Sequence, residues 1–326
     1  MRQFIERKTN NTTVSYYKKG EKVTNEAHLK RIESFVIPPA WTDVQISLNP
    51  KSKIQVEARD VSGKKQYIYS NHYIAGQHAA KFDRTVQFAL KLPTMRRRIK
   101  KDLQHRKFDK DKILACTVTL LDKTYLRVGN EKYAKKNASY GLTTLRRKHV
   151  SVKDDRVVFD FIGKSGKHQH TEIEDKEISK IVKKLDSLPG YEIFRYYNEK
   201  NELVDLKSDD VNEYIRNIMG PDFSAKDFRT WGGTMLAALE LANTTRPDDE
   251  ATRKHMITDC VQKVARELGN TPAVARSSYI DPYIFTQYEK SDDIAKVFSR
   301  IKKLRKTQYL SKDEQCVIKL LSKKRT

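Results

Sequence analysis

The sequence has little cysteine and no long apolar run. Its three cysteines, Cys116, Cys260 and Cys316, are far apart and form no CxxC pair. This spacing argues against a disulfide framework or a zinc site, and it favours a reducing compartment in which each cysteine is a small buried residue. No apolar stretch approaches the roughly 18 residues that span a bilayer, and the first residues lack the apolar region of a signal peptide. We therefore expect no membrane partner.

The charge of the chain is strongly unbalanced. Its 326 residues include 65 Lys and Arg against 42 Asp and Glu, a formal net charge of +23 at pH 7. Such a charge attracts polyanions and accelerates encounters with them, so nucleic acid is the first candidate partner. A protein that contacts about 6 to 10 DNA phosphates should lose about 10³ to 10⁵ in affinity between 50 and 200 mM salt.

The length allows two domains, and the residue pattern changes near residue 75. Before that point, β-rich or alternating runs predict a small, mainly β domain over residues 1–75, with strands at 12–17, 44–48, 54–58 and 65–69. From residue 76 to 326 the apolar spacing is mostly helical. We therefore expect an α+β protein with a small N-terminal β-sheet domain and a larger, mainly α-helical domain.

The helical part contains one predicted β insertion. Runs at 150–153, 156–162 and 168–173 are joined by turn residues, as in a three-stranded antiparallel meander, and Lys164 lies at the lip of its second hairpin. Before this insertion, a helical stripe is predicted to end at Pro93. The basic run Arg96–Lys101 that follows is interpreted as a helix face that is solvated or directed at phosphate.

Four residues in the helical part together fit phosphoryl transfer. Arg127, Lys164 and Arg229 precede Tyr279 along the chain. A guanidinium binds phosphate in a bidentate manner and stays charged, so two arginines can neutralise the nonbridging oxygens of a phosphodiester. A tyrosine can form an ester with phosphorus when nearby cations stabilise its phenolate, and a lysine can protonate the leaving oxygen. Each residue taken alone is by default a surface charge or a packed tyrosine.

Local signals indicate where two of these residues lie. Ser224 with Asp227 three positions later resembles a capping box, so Arg229 lies near the start of a helix. Thr271-Pro272 predicts an N-cap followed by proline at the first helical position, with Tyr279 on or just past a short helix. The segment Gly163-Lys-Ser-Gly-Lys167 lacks the spacing of a P-loop and is interpreted as a β-turn.

Several long phrases of the sequence, in the same order, resemble the small type IB DNA topoisomerases of poxviruses, giant viruses and bacteria. The resemblance covers roughly residues 25 to 290, and its phrasing is nearer to the bacterial and giant-virus members. The phrases that carry it are Phe35–Val44, Leu121–Tyr133, Ser139–Leu145, Phe161–Lys167 and Ala225–Thr234.

The resemblance implies a mechanism on double-stranded DNA. Tyr279 would attack a phosphodiester to give a 3′-phosphotyrosyl bond and a free 5′-hydroxyl, and supercoils would relax by strand rotation before religation. Neither ATP nor a metal ion is implied. Arg127 and Arg229 would bind the phosphate, Lys164 would act as general acid and Lys226 would assist it. The resemblance also implies a monomer whose domains close around DNA as a C-clamp.

Two positions depart from the poxvirus pattern. Asn270 replaces a histidine just before the Thr-Pro pair, as in bacterial members; its amide can donate a hydrogen bond to phosphate, but it cannot transfer a proton. Asn130 replaces a lysine that reads a base edge, so the resemblance gives no cleavage-site preference for this chain. Four further positions match residues that contact DNA in the family: Gln66, Tyr67, Tyr69 and Tyr133. For the two strand tyrosines, Tyr67 and Tyr69, packing on the sheet is an equal alternative.

Two other functions fit part of these observations. A tyrosine recombinase uses a similar set of residues, although recombinases usually carry His-x-x-Arg where this chain has Lys226-Asp-Phe-Arg229. A basic DNA-binding protein without catalysis would account for the charge alone. Frequent lysine, asparagine and isoleucine favour a viral source, hence the virion or a cytoplasmic viral factory, whereas a bacterial source would place the protein in the cytoplasm or nucleoid.

Overall fold

The computed structural model describes residues 4–10, 13–305 and 307–323, without the side chains of residues 78, 79, 293 and 302. The chain divides into two compact units, Met1–Asp83 and Arg84–Thr326. This division and the one predicted after residue 75 both lie within a single long helix, α2, which spans Asn71–Leu103.

The first unit is built on an antiparallel sheet of six strands in the order β3-β2-β1-β4-β5-β6. Val44 and Ile46 face its core, because successive side chains of a strand point to opposite faces. The mainly β prediction for this region is confirmed; Thr12, the first residue of one predicted strand, lies outside the described residues. The strands are β1 Phe4–Asn10, β2 Thr13–Lys18, β3 Glu21–Lys22, β4 Thr42–Ser47, β5 Ile54–Arg59 and β6 Lys65–Tyr69, and helix α1 spans Glu26–Glu33.

Helix α2 continues through Pro93, so the prediction that it ends there is wrong. An interior proline removes one backbone hydrogen bond and costs about 3 kcal/mol. Leu92 and Met95 on either side of it are fully buried, and Ile99 is nearly so. Each such buried side chain contributes about 1.5 to 3 kcal/mol, so the packing of the helix on both sides of Pro93 offsets the cost of the proline.

The same helix corrects the interpretation of the basic run Arg96–Lys101. Arg96 is not solvated: its guanidinium lies 2.7 Å from a carboxylate oxygen of Asp122 and 2.7 Å from one of Glu314. It also donates a hydrogen bond of 2.8 Å to the carbonyl of Tyr309. The interpretation is therefore wrong for Arg96, because its partners are remote in sequence and no local pattern indicates them.

The second unit is mainly helical and contains one large apolar core. Helix α3 is buried along most of its length, and α7 crosses the core beside it. The helices are α3 Lys110–Thr124, α4 Glu131–Asn137, α5 Lys176–Asp186, α6 Ser208–Met219, α7 Ala225–Ala242, α8 Glu250–Glu267, α9 Pro272–Ser278, α10 Pro282–Lys290, α11 Asp293–Ser299 and α12 Lys312–Ser322.

The predicted β insertion is present as a three-stranded meander. Strands β7 Val150–Lys153, β8 Arg156–Ile162 and β9 His168–Glu174 pair antiparallel in that order, and β10 Arg195–Tyr197 pairs with β11 Leu203–Asp205. Alternate residues of β8 are buried against the helical core. The α+β fold class is thus confirmed: an N-terminal antiparallel sheet is followed by a mostly helical unit with a small three-stranded sheet.

All three cysteines are free and buried, as predicted. No helix in the described part of the chain is both long enough and apolar enough to cross a membrane.

Candidate active site

Arg229 lies near the start of α7 and is almost fully buried, with 3% of its surface exposed. One of the two hydrogen bonds of the predicted capping box is present: the Asp227 carboxylate accepts from the Ser224 backbone N–H at 2.9 Å. The guanidinium donates to the carbonyl of Tyr125 and, at 2.8 Å, to the carbonyl of Leu268. Arg229 is therefore held by backbone oxygens from two separate segments.

Arg127 is held in a crossing of two chain segments that requires glycine. A Cβ on Gly141 would lie 2.6 Å from the Arg127 carbonyl, and Gly129 has φ of +108°, which side-chain-bearing residues rarely adopt. The crossing is closed by the Leu142 N–H, which donates to the Arg127 carbonyl at 2.9 Å. The Arg127 side chain then donates to Oδ1 of Asn270 at 2.5 Å.

Tyr279 follows α9, whose start was predicted correctly. Thr271 caps the helix by accepting from the Val274 N–H, and Pro272 is its first residue. Tyr279 is the C-terminal cap, and the centroid of its ring lies 4.9 Å from the guanidinium carbon of Arg229. The structure therefore brings a buried arginine from α7 against the tyrosine after α9.

The electrostatics of this group favour negative charge. Among the described residues, neither Arg127 nor Arg229 forms an ion pair with a carboxylate, and both donate to neutral oxygens. Burial, with the charge of Arg229 adding to it, lowers the pKa of Arg127 to about 10. Burial also lowers the pKa of Arg229. Both guanidinium groups stay charged at neutral pH, so the site holds a buried positive charge on Arg229 and a half-buried one on Arg127, which an anion would neutralise.

Tyr279 responds to these charges. Burial alone would raise the pKa of its phenol, but the charge and hydrogen bond of Arg229, with smaller contributions from Arg127 and Lys226, lower the pKa below its ordinary value. Charges of opposite sign stabilise the phenolate. A lowered tyrosine pKa inside a group of cations is a feature of activated nucleophiles.

Asn270 joins the two arginine-bearing segments. It is buried, its backbone N–H donates to the carbonyl of Ala265 at 2.8 Å, and its side-chain oxygen accepts from Arg127. Its Nδ2 has no hydrogen-bond partner among the residues that the structure describes. A buried amide donor without a partner is costly, so this N–H group is available to a ligand oxygen.

The two candidate lysines lie on elements that contact this group. Lys226 is exposed on the first turn of α7 and contributes to the positive potential at Tyr279. Lys164 is exposed in the turn between β8 and β9. That turn contacts the site through Lys167, whose ammonium donates to the carbonyl of Asn270 at 2.6 Å.

Sequence reasoning missed the role of a glycine pair on α7. A Cβ on Gly232 would lie 2.4 Å from the ring of Tyr125, and one on Gly233 would lie 2.6 Å from the Tyr279 carbonyl. The two glycines let α7 pack closely against Tyr125, whose carbonyl accepts a hydrogen bond from Arg229, and also against Tyr279. Two adjacent glycines are unfavourable in a helix, so the pair Gly232-Gly233 in a predicted helix was the sequence signal of this close approach.

The predicted DNA-contacting residues lie in both units. In the first unit, Gln66, Tyr67 and Tyr69 lie on β6, an edge strand. Tyr67 is 37% exposed with its ring centroid 6.1 Å from that of Tyr69, and Gln66 donates to Asp60 at 2.7 Å. In the second unit, Tyr133 is 53% exposed on α4. Their contacts with DNA stay predictions.

Comparisons with known proteins identify a family for this chain. Residues 70–311 match the family model of the eukaryotic DNA topoisomerase I catalytic core. Residues 15–60 match that of the bacterial DNA topoisomerase IB N-terminal domain.

Relatives among well-described proteins are viral and fungal. The chain is 32% identical over 285 residues to DNA topoisomerase 1B of Acanthamoeba polyphaga mimivirus, covering 85% of this chain and 84% of the relative. It is 23% identical over 283 residues to DNA topoisomerase I of Monkeypox virus, covering 81% and 86%. A shorter match, 34% over 124 residues, joins it to DNA topoisomerase 1 of Schizosaccharomyces pombe, covering 37% and 14%. The family-model match over most of the chain and the mimivirus relative together show that the chain belongs to the type IB DNA topoisomerases, a family of isomerases.

Proposed function

We propose that this protein relaxes supercoiled double-stranded DNA as a monomer, by transient cleavage of one strand through a phosphotyrosyl bond at Tyr279, without nucleotide or metal ion. The observation that carries the proposal is the placement of Tyr279 against buried Arg229, with a phenol pKa below its ordinary value. In that setting the phenol of Tyr279 is activated as a nucleophile, and the adjacent cations can bind the substrate phosphate.

The chemical steps assign one task to each group. The phenolate oxygen of Tyr279 attacks phosphorus, the bond from phosphorus to the 5′-oxygen breaks, and the 3′-phosphate stays on the enzyme. Arg127 and Arg229 neutralise the nonbridging oxygens as charge moves onto them. Asn270 donates its unpaired N–H to one of the same oxygens. In religation the 5′-hydroxyl attacks phosphorus and Tyr279 leaves.

The leaving 5′-oxygen requires a proton in the cleavage step. Lys164, on the turn anchored beside Asn270, is the proposed donor, and Lys226 on α7 assists it. General acid catalysis of this kind contributes about 10² to 10⁴ in rate. Before attack the phenol of Tyr279 gives its proton to solvent; in religation the 5′-hydroxyl returns its proton to Lys164 and the departing phenolate takes up a proton from solvent, so the cycle consumes no reductant or nucleotide.

Duplex DNA is the proposed partner because of the charge of +23 and the exposed tyrosines Tyr67 and Tyr133. The tyrosines of β6 and Tyr133 on α4 are proposed to contact the duplex. Contacts with the phosphates would supply affinity and fix the register of the protein on the duplex.

The direct test is relaxation of a supercoiled plasmid together with trapping of a covalent protein–DNA adduct. We expect both activities in the unaltered protein and neither in Tyr279→Phe, which keeps the ring and removes the nucleophile. Tyr191→Phe, at a tyrosine that is 80% exposed, is the matched control and should retain both.

The outcome also separates the two other functions. Adducts without relaxation, or activity only with paired sites and more than one protomer, would favour a tyrosine recombinase. DNA binding without adduct in any variant would favour a non-catalytic DNA-binding protein, and either result would overturn the proposal.

A further inference from the structure

The turn between β8 and β9, residues 163–167 and here called the hairpin turn, carries two lysines with different surroundings. Lys164 is exposed and, in the part of the chain that the structure describes, forms no ion pair or side-chain hydrogen bond. Lys167 is half-buried, and its ammonium donates a 2.6 Å hydrogen bond to the carbonyl of Asn270. A charged donor makes a stronger hydrogen bond than a neutral one, so Lys167 is the anchored member of the pair.

A second contact reinforces this anchor. Gln169 is buried on β9, and a Cβ on Gly269 would lie 2.2 Å from its Oε1. Gly269 has φ of +58°, so the chain turns against the Gln169 side chain directly before Asn270. The start of β9 therefore meets residues 269–270 at two adjacent points.

The hydrogen bond to Asn270 lies at the Lys167 end of the hairpin turn. The Gly163 N–H donates to the Lys167 carbonyl at 2.8 Å, which closes the turn at its base. Between them, Ser165 and Gly166 have φ of +62° and +70°, and a Cβ on Gly166 would meet nothing within 4 Å. Lys164 is thus part of a turn with an open tip and a base attached to the Asn270 carbonyl.

Asn270 connects the hairpin turn to Arg127 through hydrogen bonds. Its backbone N–H, its carbonyl and its side-chain oxygen are bound by Ala265, Lys167 and Arg127 respectively. The hairpin turn is therefore attached to the same residue that accepts a hydrogen bond from half-buried Arg127. Any loss of the Lys167 hydrogen bond changes the position of Lys164 relative to the phosphate-binding group.

We infer that Lys167 is a positioning residue, which holds the hairpin turn so that Lys164 reaches the leaving 5′-oxygen. The inference rests on the proposed function, since it concerns the proton that this function requires. It assigns Lys167 no contact with the reacting atoms, and its effect should pass through Lys164. A misplacement of about 1 Å in a positioned group can cost about 10² in rate.

The test compares two substrates in single-turnover cleavage. One duplex carries the ordinary 5′-oxygen at the scissile phosphate, and the other carries a bridging 5′-sulfur, whose thiolate leaves without a proton. The variant is Lys167→Met, which keeps the apolar stem and removes the charged donor. Lys167→Arg restores a charged donor, and Lys153→Ala, an exposed lysine on β7, controls for the loss of one positive charge.

We expect Lys167→Met to slow cleavage of the oxygen substrate by about 10- to 100-fold and to cleave the sulfur substrate at nearly the rate of the unaltered protein. Lys167→Arg should recover most of the loss, and Lys153→Ala should show no defect. DNA affinity of Lys167→Met should fall no more than that of Lys153→Ala.

Two results would overturn the inference. An unchanged rate on the oxygen substrate would show that the hydrogen bond to Asn270 does not matter for cleavage. An equal loss on both substrates would show that Lys167 acts on something other than proton delivery. Failure of the proposed function is distinguishable, because the unaltered protein would then form no adduct with either substrate.

Discussion

Two arginine sites in the helical unit, half-buried Arg96 and buried Arg229, differ in how their charge is balanced. Arg96 lies between the carboxylates of Asp122 and Glu314, both at 2.7 Å. Arg229 donates to the carbonyls of Tyr125 and Leu268 and is hydrogen-bonded to Tyr279, and among the described residues no carboxylate forms an ion pair with it. One arginine thus has its anions supplied by the protein, and the other has only neutral acceptors.

The pKa values express this difference. Burial would lower the pKa of Arg96, but its hydrogen bonds to Glu314 and Asp122 outweigh burial and raise it above the ordinary value. Burial lowers the pKa of Arg127 to about 10, and it also lowers the pKa of Arg229. A charge balanced inside the protein stabilises the fold, whereas an unbalanced buried charge favours an external anion such as phosphate.

The Arg96 site also indicates what the end of the chain does. Glu314 belongs to α12, and it accepts a hydrogen bond from Trp231 on α7, two positions after Arg229. The segment after residue 290 is therefore packed against the helix that carries the site. We expect its contribution to be stability rather than chemistry.

The largest expected effect is on folding, from Arg96→Ala. This change leaves the buried Glu314 and half-buried Asp122 carboxylates without their cation, and we expect the free energy of unfolding to fall by about 3 kcal/mol. Chemical denaturation measures it, with Lys100→Ala on an exposed position of the same helix as control. Below its melting temperature, the variant should cleave DNA at close to the normal rate. A large loss of rate in folded Arg96→Ala would remove the distinction between the two sites.

Arg229→Ala should act on the chemical step instead. Removing a preorganised donor to the developing charge costs about 10² to 10³ in rate, and we expect that loss in single-turnover cleavage. Arg229→Lys should recover only part of it, because a lysine lacks the bidentate geometry. If both variants cleaved normally, the unbalanced arginine would have no catalytic role.

A smaller effect is expected on pH dependence. The phenol is the poorer nucleophile when protonated, so cleavage should increase with pH and level off below the ordinary pKa of a tyrosine. Lys226→Ala removes a charge that lowers the pKa of Tyr279, so the rising limb should move to higher pH by a fraction of a pH unit. The 5′-sulfur substrate separates this effect from proton delivery. A shift to lower pH would contradict the electrostatic account.

Removal of metal ions should have no effect. The proposed steps use arginine, asparagine, lysine and tyrosine groups of the chain, so plasmid relaxation should proceed at the same rate in excess EDTA. Loss of relaxation in EDTA that Mg²⁺ restores would show that the protein cations are insufficient.

Local sequence patterns predicted much of the fold and the region of the site. The alternating strands around Lys164, the Ser224 cap and the Thr271-Pro272 start of α9 all depend on interactions within a few residues, and the structure contains them. Such interactions are visible in sequence because their spacing is fixed by helix and strand geometry.

Features that depend on distant contacts were not predictable in this way. The continuation of α2 through Pro93 is set by core packing, and the inward direction of Arg96 is set by carboxylates on α3 and α12. The positions of Gly232 and Gly233 make sense only once Tyr125 and Tyr279 lie against α7. The roles of the individual site residues came from the family resemblance rather than from residue spacing.

The central claim, that Tyr279 is the nucleophile, is tested most directly by locating the DNA on the trapped adduct. Trypsin should release residues 277–290 as one peptide, which contains Tyr279, Tyr283 and Tyr288. Fragmentation by mass spectrometry then identifies the modified residue. The account predicts a nucleotide attached through its 3′-phosphate to Tyr279, and attachment to Tyr283, to Tyr288 or outside this peptide would contradict it.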